Sequence, residues 1–388
     1  MMRNRIISSA RLAGFTLVEM MVGLALGLIL TTGMFVLISN TSNAFKIQDD
    51  FARMQDNATT ALRYIGGSLR MAGFYGYAQD ATVINTTYGA VNTTTDCGSA
   101  TNLPTANWAL NLQVPVFGFV GLTPININTT LPCIAITNYM TVPGGQQILV
   151  TRGAIGYRIP DPNGDGNLAD GLAAQRNYTT TVYVQADPSA GLIFYGNDFT
   201  TLKGSGYTRT LPNGKDIDIF EYAAHVYYIR PCSRFAAGTN CSTVNGTLVG
   251  GDDDNKPVPT LVRQELQGNI MTEVALAEGI ERMSLLYGID NTGPSGPDGI
   301  ADTFTATPAA GDWVNVVSVR VALLVRASSP TPQSDDSGKK YDLDGDGVAD
   351  FNCNTDLNYA NAQLACSFKR KVFSQLFQLR NISQRRGL

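Results

Sequence analysis

The sequence predicts an α+β protein: a long N-terminal helix packed on a head built around an antiparallel β-sheet, with loop-rich insertions. Three observations predict it. Residues 15–38 are almost continuously apolar, and the apolar character then narrows to a stripe at three- and four-residue spacing. The late segment "VNVVSVRVALLVRA" (314–327) alternates at period two and places Val319, Val321, Leu323 and Val325 on one face. Asn/Thr/Gly-rich stretches, as at 84–106 and 236–256, separate such segments in a chain with only 15% charged residues.

The helix begins behind a basic flank. Residues 1–14 carry Arg3, Arg5 and Arg11 and no acid, which holds that end in the cytoplasm and places the chain after residue 40 outside. The apolar part, about 24 residues at about 1.5 Å each, reaches about 36 Å, enough to cross a bilayer. A simple anchor would account for both features. It leaves Glu19 unexplained, the sole charged residue between Phe15 and Phe45, at a depth where a carboxylate is expensive. Past the membrane the stripe continues as Phe51, Met54, Ala58, Leu62, Ile65 and Leu69, with charged residues such as Asp49, Arg53, Asp56 and Arg63 between them. Gly66-Gly67 weakens the pattern and "GFYGY" (73–77) ends it, so the helix is about 55 residues long.

Strands are expected at 112–120, 147–152, 181–186, 218–230 and 314–327, all rich in β-branched and aromatic residues. Residues 1–14 then form a leader, 15–72 the helix and 73–388 the exported head, with a loop-rich insertion at about 80–215. The six cysteines lie outside the cytoplasm, where disulfides are the default. Local pairing is the simplest of the fifteen arrangements: Cys97 with Cys133, Cys232 with Cys241, and Cys353 with Cys366. A metal site is disfavoured, because no close Cys-x-x-Cys exists and the single histidine, His225, falls inside a strand.

Composition excludes several functions. A net charge of −4 leaves no basic surplus for nucleic acid. One histidine removes most Ser-His-Asp and Cys-His schemes, and no phosphate-binding Gly-x-x-x-x-Gly-Lys loop occurs. The carboxylates cluster with glycine instead. "DLDGDGVAD" offers Asp342, Asp344, Asp346 and Asp350 at loop positions 1, 3, 5 and 9, glycine at 6, and the carbonyl of Val348 at 7. That order suits the hard oxygen ligands of Ca²⁺, although Cys353 stands where the usual position-12 glutamate would be. "DPNGDGNLAD" offers Asp161, Asn163, Asp165 and Asp170, its last carboxylate one place late. A solvated acidic turn is the competing reading for both loops. "GDDDN" (251–255) reads as a solvated acid run, and 290–302 as an ordinary turn.

Gly14-Phe15-Thr16-Leu17-Val18-Glu19 resembles the processing site of type IV prepilins. The resemblance implies cleavage by a prepilin peptidase between Gly14 and Phe15 and methylation of the new amine. It takes away three arginines and no acid, so the mature net charge becomes 25 − 32 = −7. The new amine on Phe15 needs a partner, and Glu19 lies one helical turn away. Glu19 can pair with its own amine or with that of a neighbouring subunit; the family reading is the second, which sets the register of an incoming subunit. "QDDFARMQDNATTALRYIGGSLRMAGFYGY" (48–77), with Arg70-Met71-Ala72-Gly73-Phe74 closing the helix, is similar to the PilW family of minor pilins, as are 279–290 and 370–381.

That resemblance implies a type IV pilin fold, an inner-membrane span with the head in the periplasm, and later residence on the pilus. Implied partners are other minor pilins, the major pilin and a tip adhesin, in a priming or tip complex. A minor pseudopilin of a type II secretion system shares the processing motif and layout. A third reading is an adhesin that uses the helix as an anchor and binds through 80–215.

Overall fold

The computed structural model describes residues 16–89, 91–93, 96–99, 107–122, 126–140, 146–244, 247–248, 251–291, 297–331, 334–355 and 362–386. The chain divides into two compact units, Met1–Phe51 and Ala52–Leu388.

The helix α1 (Leu17–Met71) is 55 residues long and belongs to both units. Within the first unit its apolar side chains are exposed, from Leu17 and Met20 to Phe35 and Ile38. Its most apolar 18-residue window has a mean hydropathy of 2.3. Thr31, Thr32 and Thr41 each return their hydroxyl to the carbonyl three or four residues back, which satisfies these three side chains within the helix. Within the second unit the predicted stripe is the buried face: Met54, Ala58, Ala61, Ile65 and Leu69 are all at most 1% exposed. Leu62 is partly buried against the same cluster, while Phe51 is 41% exposed and does not extend the stripe.

The head carries β1 (Ile84–Gly89), β2 (Val116–Leu122), β3 (Gln146–Arg158), β4 (Val182–Ala186), β5 (Gly191–Tyr195) and β6 (Ile219–Arg230). Then follow the short pair β7 (Thr243–Val244) and β8 (Thr247–Leu248), the hairpin β9 (Thr260–Gln267) and β10 (Ile270–Glu278), and β11 (Ile280–Ile289). β12 (Thr303–Thr305), β13 (Val316–Arg326) and β14 (Arg370–Gln378) complete the set. Two sheets dominate where the sequence had suggested one. The larger has eight strands in the order β1-β5-β4-β6-β3-β2, with β9 on β6 and β10 on β9; the smaller runs β12-β11-β13-β14. All pairings are antiparallel except β1 with β5. The stretch expected as a loop-rich insertion holds β1 to β5, so loops there connect strands of the larger sheet.

One cluster joins α1 to both sheets. Val319, Val321, Leu323 and Val325 of β13, Leu285 and Tyr287 of β11 and Phe377 of β14 meet the helix stripe there, together with Leu149 of β3 and Tyr227 of β6. The period-two alternation decides which residues arrive. On β6, Tyr227 and Ile229 turn to this cluster, while Tyr222, Ala224, Val226 and Tyr228 turn to a second core on the other face. Residues of 108–139, including Trp108, Leu112, Ile127 and Tyr139, cover that second core. Gly66 is needed on α1 because the Phe377 ring lies where a Cβ would project.

Three disulfides hold the connections: Cys97–Cys133, Cys232–Cys241 and Cys353–Cys366, which are the local pairs expected from the sequence. Loop entropy ranks them, because their sequence separations are 36, 9 and 13. Replacing Cys97 and Cys133 by alanine is expected to cost about 4 kcal/mol, against about 2.6 kcal/mol for the Cys232–Cys241 pair. Chemical unfolding of the two double variants checks the order.

The β13–β14 connection folds back over the outer face of the smaller sheet. Leu343, Phe351 and Phe368 pack on Ala322 and Leu324. Arg370 pins the connection: its side chain is 0% exposed and pairs with Glu281 of β11 and Asp336, both also 0% exposed. It also donates to the carbonyls of Ala365 and Phe368. Tyr341 donates to Asp336, and Lys339 adds a second cation there.

Candidate functional site

Gly14 and Phe15 lie outside the described residues. Glu19 sits in the first turn of α1. Its carboxylate accepts the Thr16 backbone N–H at 3.2 Å and the Thr16 hydroxyl at 3.1 Å, and its own N–H donates to Thr16 Oγ1 at 3.2 Å. This is a reciprocal capping box, satisfying helix-terminal donors that have no intrahelical acceptor. The Thr-x-x-Glu spacing carried that signal, and a reading of Glu19 as a charge partner alone passes over it. Both side chains are exposed, so Glu19 is held at the helix start and remains open to a second partner.

The two acidic loops adopt one local design. Asp342 accepts the N–H groups of Gly345 and Gly347, and Asp161 those of Gly164 and Gly166. All four glycines have φ between +69° and +86°, a region open to glycine and strained for other residues. These amides hold the Asp342 carboxyl below the usual carboxylate range.

Beyond that design the loops differ. In the later one, carboxylate oxygens of Asp342, Asp344 and Asp350 lie within 4.8 Å of one another. Asp346 is not in that group; its carboxylate accepts the Val348 N–H. Burial and the neighbouring acids push the Asp344 carboxyl up. Arg320 of β13 donates to the Asp344 carbonyl, which ties the loop to the sheet. In the earlier loop Asp161, Asp165 and Asp170 form no such group among the described residues. Asn163 donates to Asp170 at 2.6 Å, and Lys203 places its ammonium 2.7 Å from the buried Asp216 and 3.0 Å from Asn167 Oδ1. A lysine thus supplies the positive charge beside that loop. No spacing within 161–170 announced a residue forty positions on.

In the acid run at 251–255 the Asp254 side chain is exposed, as expected, but the other two aspartates are not solvated. Asp252 and Asp253 are 4% and 5% exposed. Asp253 accepts the N–H groups of Ser233, Arg234 and Val258, and Asp252 those of Ala236 and Ser242. Backbone amides of the Cys232–Cys241 loop replace water around both carboxylates. Of the turn expected at 290–302, residues 292–296 lie outside the described residues; at its ends Asp290 accepts the Gly299 N–H and Asp302 that of Asn291. His225 is a packed strand residue whose Nδ1 lies 2.9 Å from Ser68 Oγ; burial, with Arg263 beside it, lowers its pKa to about 3.

The comparisons with known proteins fall on the two ends of the chain. Residues 10–35 match the model of the prokaryotic N-terminal methylation motif, which holds Gly14, Phe15 and Glu19. Residues 247–381 match the model of the type IV pilus-assembly protein W family, which spans β9 to β14 and the acidic loop. No curated protein and no solved structure matches the chain. An apolar, exposed helix behind a methylation motif, in a chain whose late segment is similar to the pilus-assembly protein W family, points to a type IV pilus minor pilin involved in pilus assembly.

Proposed function

We propose that the protein acts when a pilus is started, as a structural rather than catalytic subunit that joins other minor pilins and the major pilin in a priming or tip complex. Prepilin peptidase cuts between Gly14 and Phe15. The head then stands in the periplasm on an inner-membrane helix until the subunit enters the filament. One observation carries this reading: α1 exposes every large apolar side chain from Leu17 to Phe45 and offers one carboxylate, Glu19, at its start. Apolar surface of that extent needs a lipid or helix-bundle environment. Immunogold labelling of sheared and cell-bound filaments tests the placement. Gold at filament ends supports a tip subunit, and gold spaced along shafts contradicts it. Unchanged filament number with lost secretion would indicate the pseudopilin, and with lost adhesion the anchored adhesin.

We also propose that the 342–350 loop takes a structural Ca²⁺, through Asp342, Asp344 and Asp350 with the Val348 carbonyl. Three converging carboxylates, with no lysine or arginine side chain paired to them among the described residues, favour a divalent cation. The 161–170 loop is the weaker candidate, because Lys203 already stands beside it. At a hundredfold excess over Kd, calcium would stabilise the protein by about 2.7 kcal/mol. Chelation is expected to lower Tm in the wild type and not in an Asp342→Asn, Asp344→Asn variant. Differential scanning calorimetry with and without chelator checks it; a Tm indifferent to chelation leaves the loop a solvated turn.

A further inference from the structure

Among the described residues the two main sheets end in five strands: β1, β2, β10, β12 and β14. Four of these are guarded. β12 is three residues long. The other three break register, β1 between Asn85 and Gly89, β2 between Phe119 and Leu122, and β10 between Ala275 and Ala277. Short or bulged edges resist the addition of another strand. β14 has no such defence. It is nine residues long, contains no proline, and pairs with β13 from Arg370 to Gln378 without a shift. Its two charges, Arg370 and Lys371, stand at its start, and 372–378 carries none.

The ladder fixes which backbone groups of β14 face outward. The Ala327 N–H donates to the Lys369 carbonyl and the Leu379 N–H to the Val317 carbonyl, so the odd-numbered residues of β14 exchange bonds with β13. The N–H and C=O of Val372, Ser374, Leu376 and Gln378 therefore point the other way, and they make no backbone bond among the described residues. Ser374, Leu376 and Gln378 are exposed, Leu376 at 55%. An alternating row of donors and acceptors about 20 Å long is complemented by an extended polypeptide and not by a small ligand. Charge narrows the occupant further. Residues 367–388 hold lysines and arginines but no aspartate or glutamate. Arg370 is committed to Glu281 and Asp336. Lys371, at one end of the edge, and Arg380, just past the other, are exposed and form no ion pair among the described residues.

We propose that β14 accepts an extended strand of a neighbouring pilin head, bonded along 372–378 and flanked by acidic residues that meet Lys371 and Arg380. The proposal rests on the minor-pilin reading. A second copy of this chain fits less well. Two β14 strands paired antiparallel are related by a two-fold axis normal to the sheet, which reverses any helix lying on its face. The α1 stripe from Met54 to Leu69 lies on that face. The two helices would run in opposite directions, whereas two chains held by the same basic flank enter a membrane the same way.

The test places a photo-crosslinking p-benzoylphenylalanine at Leu376 of the full-length chain in cells that make pili. The expected product joins it to the head of another prepilin-type protein, mapped by mass spectrometry to a strand-like segment flanked by Asp or Glu. Ser374→Pro removes an N–H that faces away from β13 and sets its ring in the partner's way. The head should melt near the wild-type Tm while crosslinking falls at least about tenfold. Gln375→Pro deletes a bond to β13 instead and should lower Tm. Ser374→Lys leaves the backbone donors in place, adds the charge that natural edges use, and should also cut capture. Lys371→Glu should weaken capture about two- to fivefold, and no change would overturn the acidic assignment. Crosslinks undiminished by Ser374→Pro and Ser374→Lys, their absence in piliated cells, or products formed only with this chain itself would overturn the proposal. Cells in which Glu19 and Gly14 substitutions leave piliation intact would refute the pilin reading itself; cells that need those residues and ignore both Ser374 variants refute only the edge.

Discussion

Replacing Glu19 by alanine is expected to leave the chain processed and its head folded while lowering filament number by about a hundredfold. Cleavage would create an ammonium group on Phe15 among apolar helices. An unpaired ion there costs several kcal/mol, and about 2.7 kcal/mol already amounts to a hundredfold in an assembly equilibrium. The capping box supplies a competing explanation, since losing a cap costs about 1 kcal/mol. Two further variants separate them. Glu19→Gln keeps an acceptor for the Thr16 N–H and loses the charge, and it should fail nearly as badly as alanine. Thr16→Ala loses the reciprocal bond and keeps the charge, and it should assemble. Counting pili by electron microscopy, with immunoblots for processing, reads all three. Wild-type piliation in Glu19→Gln would show that the carboxylate caps a helix and does not dock a subunit.

Arg370→Met should be the most destabilising single substitution in the head, by about 3–5 kcal/mol, because it leaves Glu281 and Asp336 buried without their shared partner. The connection that carries the acidic loop would lose its pin, so any calcium response should weaken too. Adding Glu281→Leu should recover part of the loss, since a buried ion pair replaced by packed apolar groups is often neutral. Fluorescence of the buried Trp108 and Trp313 gives the unfolding signal. A loss below about 1 kcal/mol would make the network a surface-grade pair.

The pH dependence follows from the same site and from His225. Burial raises the Glu281 carboxyl, but Arg370 beside it more than offsets this, and the folded pKa lies below the ordinary 4.5. Its stabilising share is present above 4.5 and is lost as pH falls through the lowered value. His225 binds its proton at about 3 when folded and near 6.5 when unfolded, so acid favours the unfolded chain throughout that window. Both effects point one way, and stability should fall from pH 6.5 toward pH 3.

Much of this molecule is legible in its sequence because simple periodicities rule it. The bilayer-length apolar run and the three-and-four spacing set α1, and alternation in β6 and β13 sets which faces are cores. Cysteine proximity was enough to pair the disulfides. β9 and β10 escaped notice because both strands mix charged and apolar residues: Glu273 is stabilised through Arg230 and Asn138, contacts made only after folding. The buried roles of Asp252, Asp253, Glu281 and Asp336 were invisible for the same reason. A carboxylate reads as solvated until the amides or guanidinium that replace its water are seen. Lys203 and Arg320 act on the acidic loops across 36 and 24 residues, beyond any local motif.

Mass spectrometry of the chain recovered from membranes and from sheared pili tests the central claim most directly. A type IV minor pilin should begin at Phe15, with a methylated amine, in both fractions, and Gly14→Ala should hold it at the precursor mass and keep it out of pili. A wild-type chain that still begins at Met1 in the membrane, and is absent from pili, would contradict the account.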